Sequence, residues 1–199
     1  MRADNAAARR DAILAAALDE FSAQGFAAAR LDDVARRAGV AKGTIYLHFR
    51  DKEALFQELI RSQFSPLIGL LETVAAADMP FRTLAVRLVD TFVDEVLCTR
   101  RKDVIRLIIS EGPRFPQVAE FHYREVISRV LGALRRLLRH AIERGELDND
   151  VLVRFPQLLV APGLVAIVWN SLFDRFEPLD VRALMHAHVG LLLGPGRAP

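Results

Sequence analysis

Residues 31–49 constrain the fold more tightly than any other stretch, because they demand two short helices on either side of one glycine. Leu31, Val34, Ala35 and Ala38 recur at i, i+3, i+4 and i+7, one apolar face of a helix. Asp32 and Asp33 fall in its first turn, where carboxylates complement the positive end of the helix dipole. Gly39 can take the left-handed conformation that ends a helix and turns the chain. After Val40, a second helix is expected from about Ala41, with Ala41, Ile45 and Phe49 inward at four-residue steps. Its outward side is Lys42, Gly43, Thr44, Tyr46, Leu47 and His48. A helix, a tight glycine turn and a second helix make the arrangement of a helix-turn-helix reader. The outward side offers a cation, a bare backbone, a hydroxyl and two hydrogen-bonding rings, which suits phosphates and base edges in a groove. Spacing alone leaves an ordinary helical hairpin with a solvated outer face as an equal alternative.

The wording of the stretch separates the two. Val40-Ala-Lys-Gly-Thr-Ile-Tyr-Leu-His-Phe49, followed by Asp51-Lys-Glu-Ala-Leu-Phe56, closely resembles the signature of the tetracycline-repressor-like (TetR/AcrR) regulators. The resemblance runs from Arg10 to about Phe56 and is architectural beyond that. It implies that the second helix enters the major groove of DNA, that the chain acts as a dimer, and that its larger part binds a ligand. The family's pattern assigns the positions of Lys42 and Gly43 to base or groove contact. Thr44, Tyr46, His48 and Lys52 are expected mainly on phosphates, Tyr46 also against a thymine methyl and Lys52 beside an exposed helix start, and Leu47 completes the expected DNA-facing set. The chain departs from the pattern at Ala29 and Arg30, where many relatives carry hydroxyl residues that cap the helix and touch phosphate. Arg30 can replace the phosphate contact through its charge, but not the cap. Ala41 stands where relatives often have Ser.

Composition narrows the class further. The 199 residues are 52% hydrophobic, too apolar for a disordered chain. A formal net charge of +2 means that any DNA affinity comes from local placement of Lys and Arg. The single cysteine, Cys98, has no partner for an internal disulfide, which fits a reducing cytoplasm. It ends an apolar helical pattern, so a structural thiol is expected. The first residues lack the apolar core of a secretion signal, and no uncharged run reads as a membrane span.

Along the chain, helix one is expected from Asp4 or Asn5, with Leu14, Ala17, Leu18 and Phe21 inward and Gly25 at its end. Arg9 and Arg10 suit either a DNA-facing arm or plain solvation. Asp51 caps helix four, which Pro66 should kink or interrupt. Phe81, Leu84, Leu88, Phe92 and Val96 mark helix five, and the basic triplet 100–102 reads as a solvated loop. Helix six ends at Glu111-Gly-Pro113, and helix seven runs from about Pro116 to Arg144. Asp148-Asn-Asp150 starts helix eight, with Pro156 and Pro162 as its candidate breaks, then apolar all round from Gly163 to Trp169. Helix nine carries Val181, Leu184, Met185, His188, Leu191 and Leu192 on one side, and a frayed tail follows from Gly194. Two such apolar terminal helices suggest a homodimer interface.

The chemistry of enzymes finds no pattern here. His186 and His188 are two apart and share no helical face, and neither His122 nor His140 has a companion with metal-ligand spacing. No glycine-rich phosphate loop and no nucleophile elbow is present. The expected protein is all-α: residues 1–52 form a helix-turn-helix DNA-binding domain, and 53–199 a ligand-binding and dimerisation domain. It should be a cytoplasmic homodimer that binds a palindromic operator in double-stranded DNA, without cofactor, metal, membrane or catalysis. A small apolar or amphipathic effector should release a repressor of this design. Phe64, Phe81, Leu88, Phe92, Ile108, Phe121 and Val130 are either walls of its cavity or ordinary core. The rival reading is a helical adaptor that no longer reads DNA.

Overall fold

A computed structural model describes residues 2–194, with side chains from residue 6 onward. Among the described residues the chain is helical and has no strand. Its helices are α1 (Arg2–Ala28), α2 (Leu31–Arg37), α3 (Lys42–His48), α4 (Lys52–Ala75), α5 (Phe81–Phe92) and α6 (Arg101–Glu111). They continue as α7 (Pro116–His122), α8 (Ser128–Glu143), α9 (Val151–Arg154), α10 (Gln157–Phe173) and α11 (Val181–Leu193). A π-helical turn, Val93–Leu97, extends α5, and a second, Tyr123–Ile127, joins α7 to α8. The single expected helix from Pro116 is therefore one helical run with a widened turn in it. Such turns arise where one extra residue is accommodated without breaking the helix.

By contact density the chain forms two compact units, 1–65 with 103–125, and 66–102 with 126–199. The first is built on α1, whose Ile13, Leu14, Ala17, Leu18 and Phe21 are buried. α1 starts at Arg2, ahead of Asp4 and Asn5, whose side chains lie outside the described residues. It breaks at Gly25, which has φ 75° and ψ 164°. That conformation is nearly closed to residues with a Cβ, so glycine is required. The break turns Phe26 into a ring cluster: its centroid lies 5.6 Å from Phe21, 5.4 Å from Phe56 and 4.9 Å from Phe115. Leu55, Phe56, Leu59 and Ile60 of α4, and Val104, Leu107, Val118 and Phe121 of α6 and α7, bury their apolar faces in the same unit. A fully buried side chain of this size contributes about 1.5–3 kcal/mol.

The second unit buries Phe81, Leu84, Ala85 and Val89 of α5, Leu134, Leu137, Leu138 and Ala141 of α8, and Met185 and Val189 of α11. Arg182 on α11 pairs with Asp90 at 2.6 Å and also with Asp94, and His186 Nε2 lies 2.9 Å from the same Asp90 oxygen. Arg82 donates to the Leu193 and Gly194 carbonyls at the end of α11. Asp180 caps the start of α11, accepting from Ala183 N at 3.0 Å.

Several local expectations need correction. α4 runs through Pro66 and α10 through Pro162; only Pro156 separates two helices. Cys98 is exposed, because the widened turn that precedes it rotates the chain off the apolar face. Arg101 is not in a solvated loop: it opens α6 and donates to Glu95 O at 2.7 Å and to its carboxylate at 3.0 Å. The seam of α11 is Met185 and Val189, while Leu191 is 83% exposed. α10 buries Ala166 and Ile167 but leaves Leu158, Leu164, Val165, Val168, Leu172 and Phe173 exposed in the single chain. The expected fraying of residues 195–199 lies outside the described residues.

Gly25 carries a direct test. An alanine Cβ there would keep the disfavoured backbone and sit 3.2 Å from Glu111 Oε1. Gly25→Ala is expected to cost about 1–3 kcal/mol, read as a lower urea midpoint with an unchanged m-value.

Candidate nucleic-acid interface

The reading head is assembled from α2, its turn and α3. Leu31, Val34 and Ala35 seat α2 in the core, and Arg37 Nη2 donates to the buried Glu20 at 3.2 Å, tying α2 to α1. Arg30 is the N-cap residue and makes no side-chain capping bond, so the missing hydroxyl cap expected from the sequence is real. Asp32 and Asp33 remain as the compensation to the helix start. At the other end Val40 N bonds to Ala35 O at 3.0 Å and Gly39 N to Arg36 O at 3.2 Å. With Gly39 at φ 66° this is the paired-bond glycine ending that reverses the chain at a fixed angle.

That angle sets which side of α3 faces out. Ile45 is fully buried and Phe49 nearly so, and they anchor the helix. Ala41, expected inward, is exposed: it sits at the N-cap in an extended conformation, outside the helical register assumed for it. Lys42, Gly43, Tyr46, Leu47 and His48 are exposed and Thr44 is half-buried, so the expected outward set shares one surface. Leu47 is 84% exposed, far more than a leucine kept for packing. Gly43 has nothing within 4 Å of where a Cβ would stand. Nothing in the folded chain therefore requires glycine at this helical position, although it costs helix stability.

The cations are held in different ways. Arg30 is exposed, with no ion pair among the described residues. Lys42 Nζ donates to Asp32 Oδ2 at 2.6 Å. Asp32 holds the lysine pKa above its ordinary value, first through the hydrogen bond and then through its charge. Lys52 lies at the start of α4, where Asp51 caps by accepting from Ala54 N at 2.7 Å. Its ammonium donates to Phe26 O at 2.7 Å and Ala27 O at 2.6 Å, and stands 5.0 Å over the Phe26 ring. Two of its three donors are thus used inside the protein. The sequence reading missed the partners of both lysines, because contacts between residues ten and twenty-five or more apart leave no periodic trace.

The candidate effector residues divide between the units. Phe64 and Phe121 are buried and Ile108 half-buried in the first; Phe81 is buried, and Leu88, Phe92 and Val130 are half-buried, in the second. Phe92 packs over Gly163, where a Cβ would meet its ring at 2.4 Å. Beside Phe64, at 5.5 Å between ring centroids, lies the buried His122, whose Nδ1 has no hydrogen-bond partner among the described residues. No group of three His, Cys, Asp or Glu among the described residues could hold a metal ion. No described helix is long and apolar enough to cross a membrane.

A glycine-turned helix pair that presents one cationic, hydrogen-bonding face, carried on a helical body, defines a DNA-binding regulator. The family model for bacterial regulatory proteins of the tetR family matches residues 13–59. The model for the C-terminal domain of AefR-like transcriptional repressors matches residues 84–154. The transcriptional repressor BepR of Brucella suis is 32% identical over 151 residues, which are 73% of this chain and 71% of that protein. The transcriptional regulator AcrR of Shigella flexneri is 29% identical over 189 residues, 92% of this chain and 87% of that one. Among solved structures, the regulator FadR of Bacillus subtilis in complex with stearoyl-CoA has a TM-score of 0.75 at 19% identity, over 92% of this chain and 96% of that one. The chain belongs to the TetR family of bacterial regulatory proteins: it is a helix-turn-helix transcriptional regulator.

Two measurements follow from this geometry. Burial pushes the His122 imidazole down to about 4, below its ordinary 6.5. The unfolded chain therefore binds more protons between about 6.5 and about 4, so stability falls as pH drops through that window. The loss is at most about 3 kcal/mol. His122→Phe should flatten urea midpoints over that range and cost little at pH 7, since it also removes an unpaired nitrogen. Lys52→Ala should lower the stability of the folded chain by about 1 kcal/mol, because it uncaps two carbonyls at the end of α1. Chemical denaturation without DNA checks this.

Proposed function

We propose that the protein represses transcription by binding, as a homodimer, a palindromic or near-palindromic operator in double-stranded DNA, and that a small apolar or amphipathic effector releases it. The observation that carries the reading is the outward face of α3. Lys42, Gly43, Tyr46, Leu47 and His48 stand together in solvent beside the half-buried Thr44, with an open glycine among them. Lys42 and Gly43, at the start of the helix, approach base edges: Lys42 donates to guanine O6 or N7, and Gly43 lets the backbone come near. Thr44, Tyr46, His48, Lys52 and Arg30 hold phosphates, and Leu47 packs against the groove wall or a thymine methyl.

Functionally we draw the DNA-binding domain at residues 1–52 and the ligand-binding and dimerisation domain at 53–199. The homodimer is supported by the six large apolar side chains that α10 leaves exposed, since clustered apolar surface marks association. Two-fold symmetry in the protein then asks for two-fold symmetry in its DNA. The effector reading takes support from relatives named as repressors, and from the neighbour whose structure holds stearoyl-CoA. Its candidate contacts are Phe64, Ile108 and Phe121 in the first unit, or Phe81, Leu88, Phe92 and Val130 in the second. Release needs an effector that favours the conformation DNA does not. The protein works in the cytoplasm, where its DNA is, and needs no cofactor and no catalysis.

Selection of bound sequences from random duplexes tests the reading; recovery of no enriched motif would remove it. On the enriched site, Lys42→Ala should weaken binding about tenfold or more per half-site and relax preference there. Gly43→Ala should raise thermal stability, by about 0.5–1 kcal/mol, while weakening operator binding. Opposite signs from one methyl group would separate a recognition role from a structural one. Val165→Glu with Leu172→Glu should shift sedimentation from dimer to monomer and abolish binding to the two-half-site duplex.

A further inference from the structure

The outward face of α3 is not uniform around the helix. Ile45 is the side chain that anchors α3 in the core. Residues two positions from it are turned by about 200°, within about 20° of the opposite side. Those residues are Gly43 and Leu47. They are also four apart, so they stack as one stripe along the helix. That stripe is the crest of the reading head, the side of α3 turned away from the core. Lys42 and Tyr46 lie together on one flank, with the lysine ammonium 6.0 Å from the Tyr46 ring centroid. The half-buried Thr44 and the exposed His48 lie on the other. Every side chain on the flanks carries a polar atom. The crest carries none: it is a glycine with open space where its Cβ would stand, and a leucine more exposed than the tyrosine beside it. One exposed leucine means little by itself. Its place on this crest is what distinguishes Leu47.

We propose that Leu47 is a specificity-determining residue that reads the C5-methyl group of one thymine in each half-site. The proposal rests on the assignment of α3 as the DNA reader, and commits that helix to one feature of the base edges. A recognition helix enters the major groove with its outward side toward the bases. The seven residues of α3 make a helix about 10 Å long, less than the roughly 12 Å width of the groove, so both of its turns fit inside. The flanks then face the phosphates at the rims of the groove, and the crest faces its floor. Leu47 has no donor or acceptor. Against a phosphate or a polar base edge it would displace water from that group and make no bond in return. The apolar group that base edges present in the major groove is the thymine methyl. Gly43, one turn earlier on the same stripe, lacks the side chain that would hold the helix off the floor. The crest can therefore come close enough for Leu47 to bury a methyl group that projects from the floor.

The test uses the full chain and the duplex selected from random sequences, titrated by fluorescence anisotropy. Each thymine of the half-site is replaced in turn by deoxyuridine, which removes the methyl and leaves the hydrogen-bonding edge as it was. At one thymine the parent chain should lose affinity about fourfold per half-site, the effect of burying one methyl group, and about fifteenfold when both half-sites are changed. Leu47→Ala should bind the thymine duplex more weakly and no longer distinguish thymine from uracil at that position. Leu47→Met, apolar and of similar volume, should keep most of the difference. Tyr46→Ala should keep it as well. Two results would overturn the proposal. One is an enriched site at which no thymine methyl matters to the parent chain. The other is a methyl effect that stays at full size in Leu47→Ala, which would mark DNA shape or Tyr46 as its source. If selection yields no enriched motif, the assignment of α3 fails and this proposal falls with it. Leu47 packs against nothing in the core, so its variants should melt as the parent does by circular dichroism, and lost binding is then not lost fold.

Discussion

The first compact unit depends on one corner, where α1 breaks at Gly25 and turns Phe26 inward. The Phe26 ring is held by Phe21 from α1, Phe56 from α4 and Phe115 from the segment between α6 and α7. Its carbonyl and that of Ala27 are held by Lys52. Edge-on aromatic pairs contribute about 0.5–1.5 kcal/mol each beyond the area they bury. Charged hydrogen bonds to the end of a helix contribute on a similar scale. Three stretches distant in sequence therefore meet at one residue, and none of them can shift without disturbing the others. Lys52 is part of this corner first, with two of its three donors held inside the protein.

The register of α3 depends in turn on how α1 seats α2. Glu20 is buried and finds its countercharge in Arg37, so the far end of α2 is pinned while Gly39 sets the reversal angle. With that angle set, Ile45 and Phe49 decide the rotation of α3, and the reading residues point outward as a consequence. No hydroxyl cap helps α2, and the head manages with two first-turn aspartates instead. One of those aspartates, Asp32, also accepts a hydrogen bond from Lys42.

What was legible in the sequence was what repeats or turns. The apolar stripe of α1, the glycine end at Gly39, the Asp51 cap and the outward set of α3 all follow from spacing within one or two helical turns. What was not legible depends on distant partners. Periodicity cannot say that Arg101 reaches back to Glu95, or that Lys42 is occupied by Asp32. The two π-helical turns each add a residue that shifts the helical phase, which is why Cys98 left its apolar face. Neither Pro66 nor Pro162 interrupts its helix, which continues past it, while Pro156 stands between α9 and α10. The all-round apolar run of α10 reads as part of a dimer surface, and in the single chain Leu164, Val165 and Val168 stand exposed.

That open side of α10 bears on how the molecule is made and kept. A lone chain with Leu158, Val165, Val168, Leu172 and Phe173 in water has a strong drive to associate, correctly or otherwise. If the partner is a second copy, the melting temperature belongs to a concentration rather than to the chain, since association and folding share one equilibrium. A substitution on α10 would then appear in a cell as scarcity. Unpaired chains would be cleared by proteases before any defect in reading DNA could be seen.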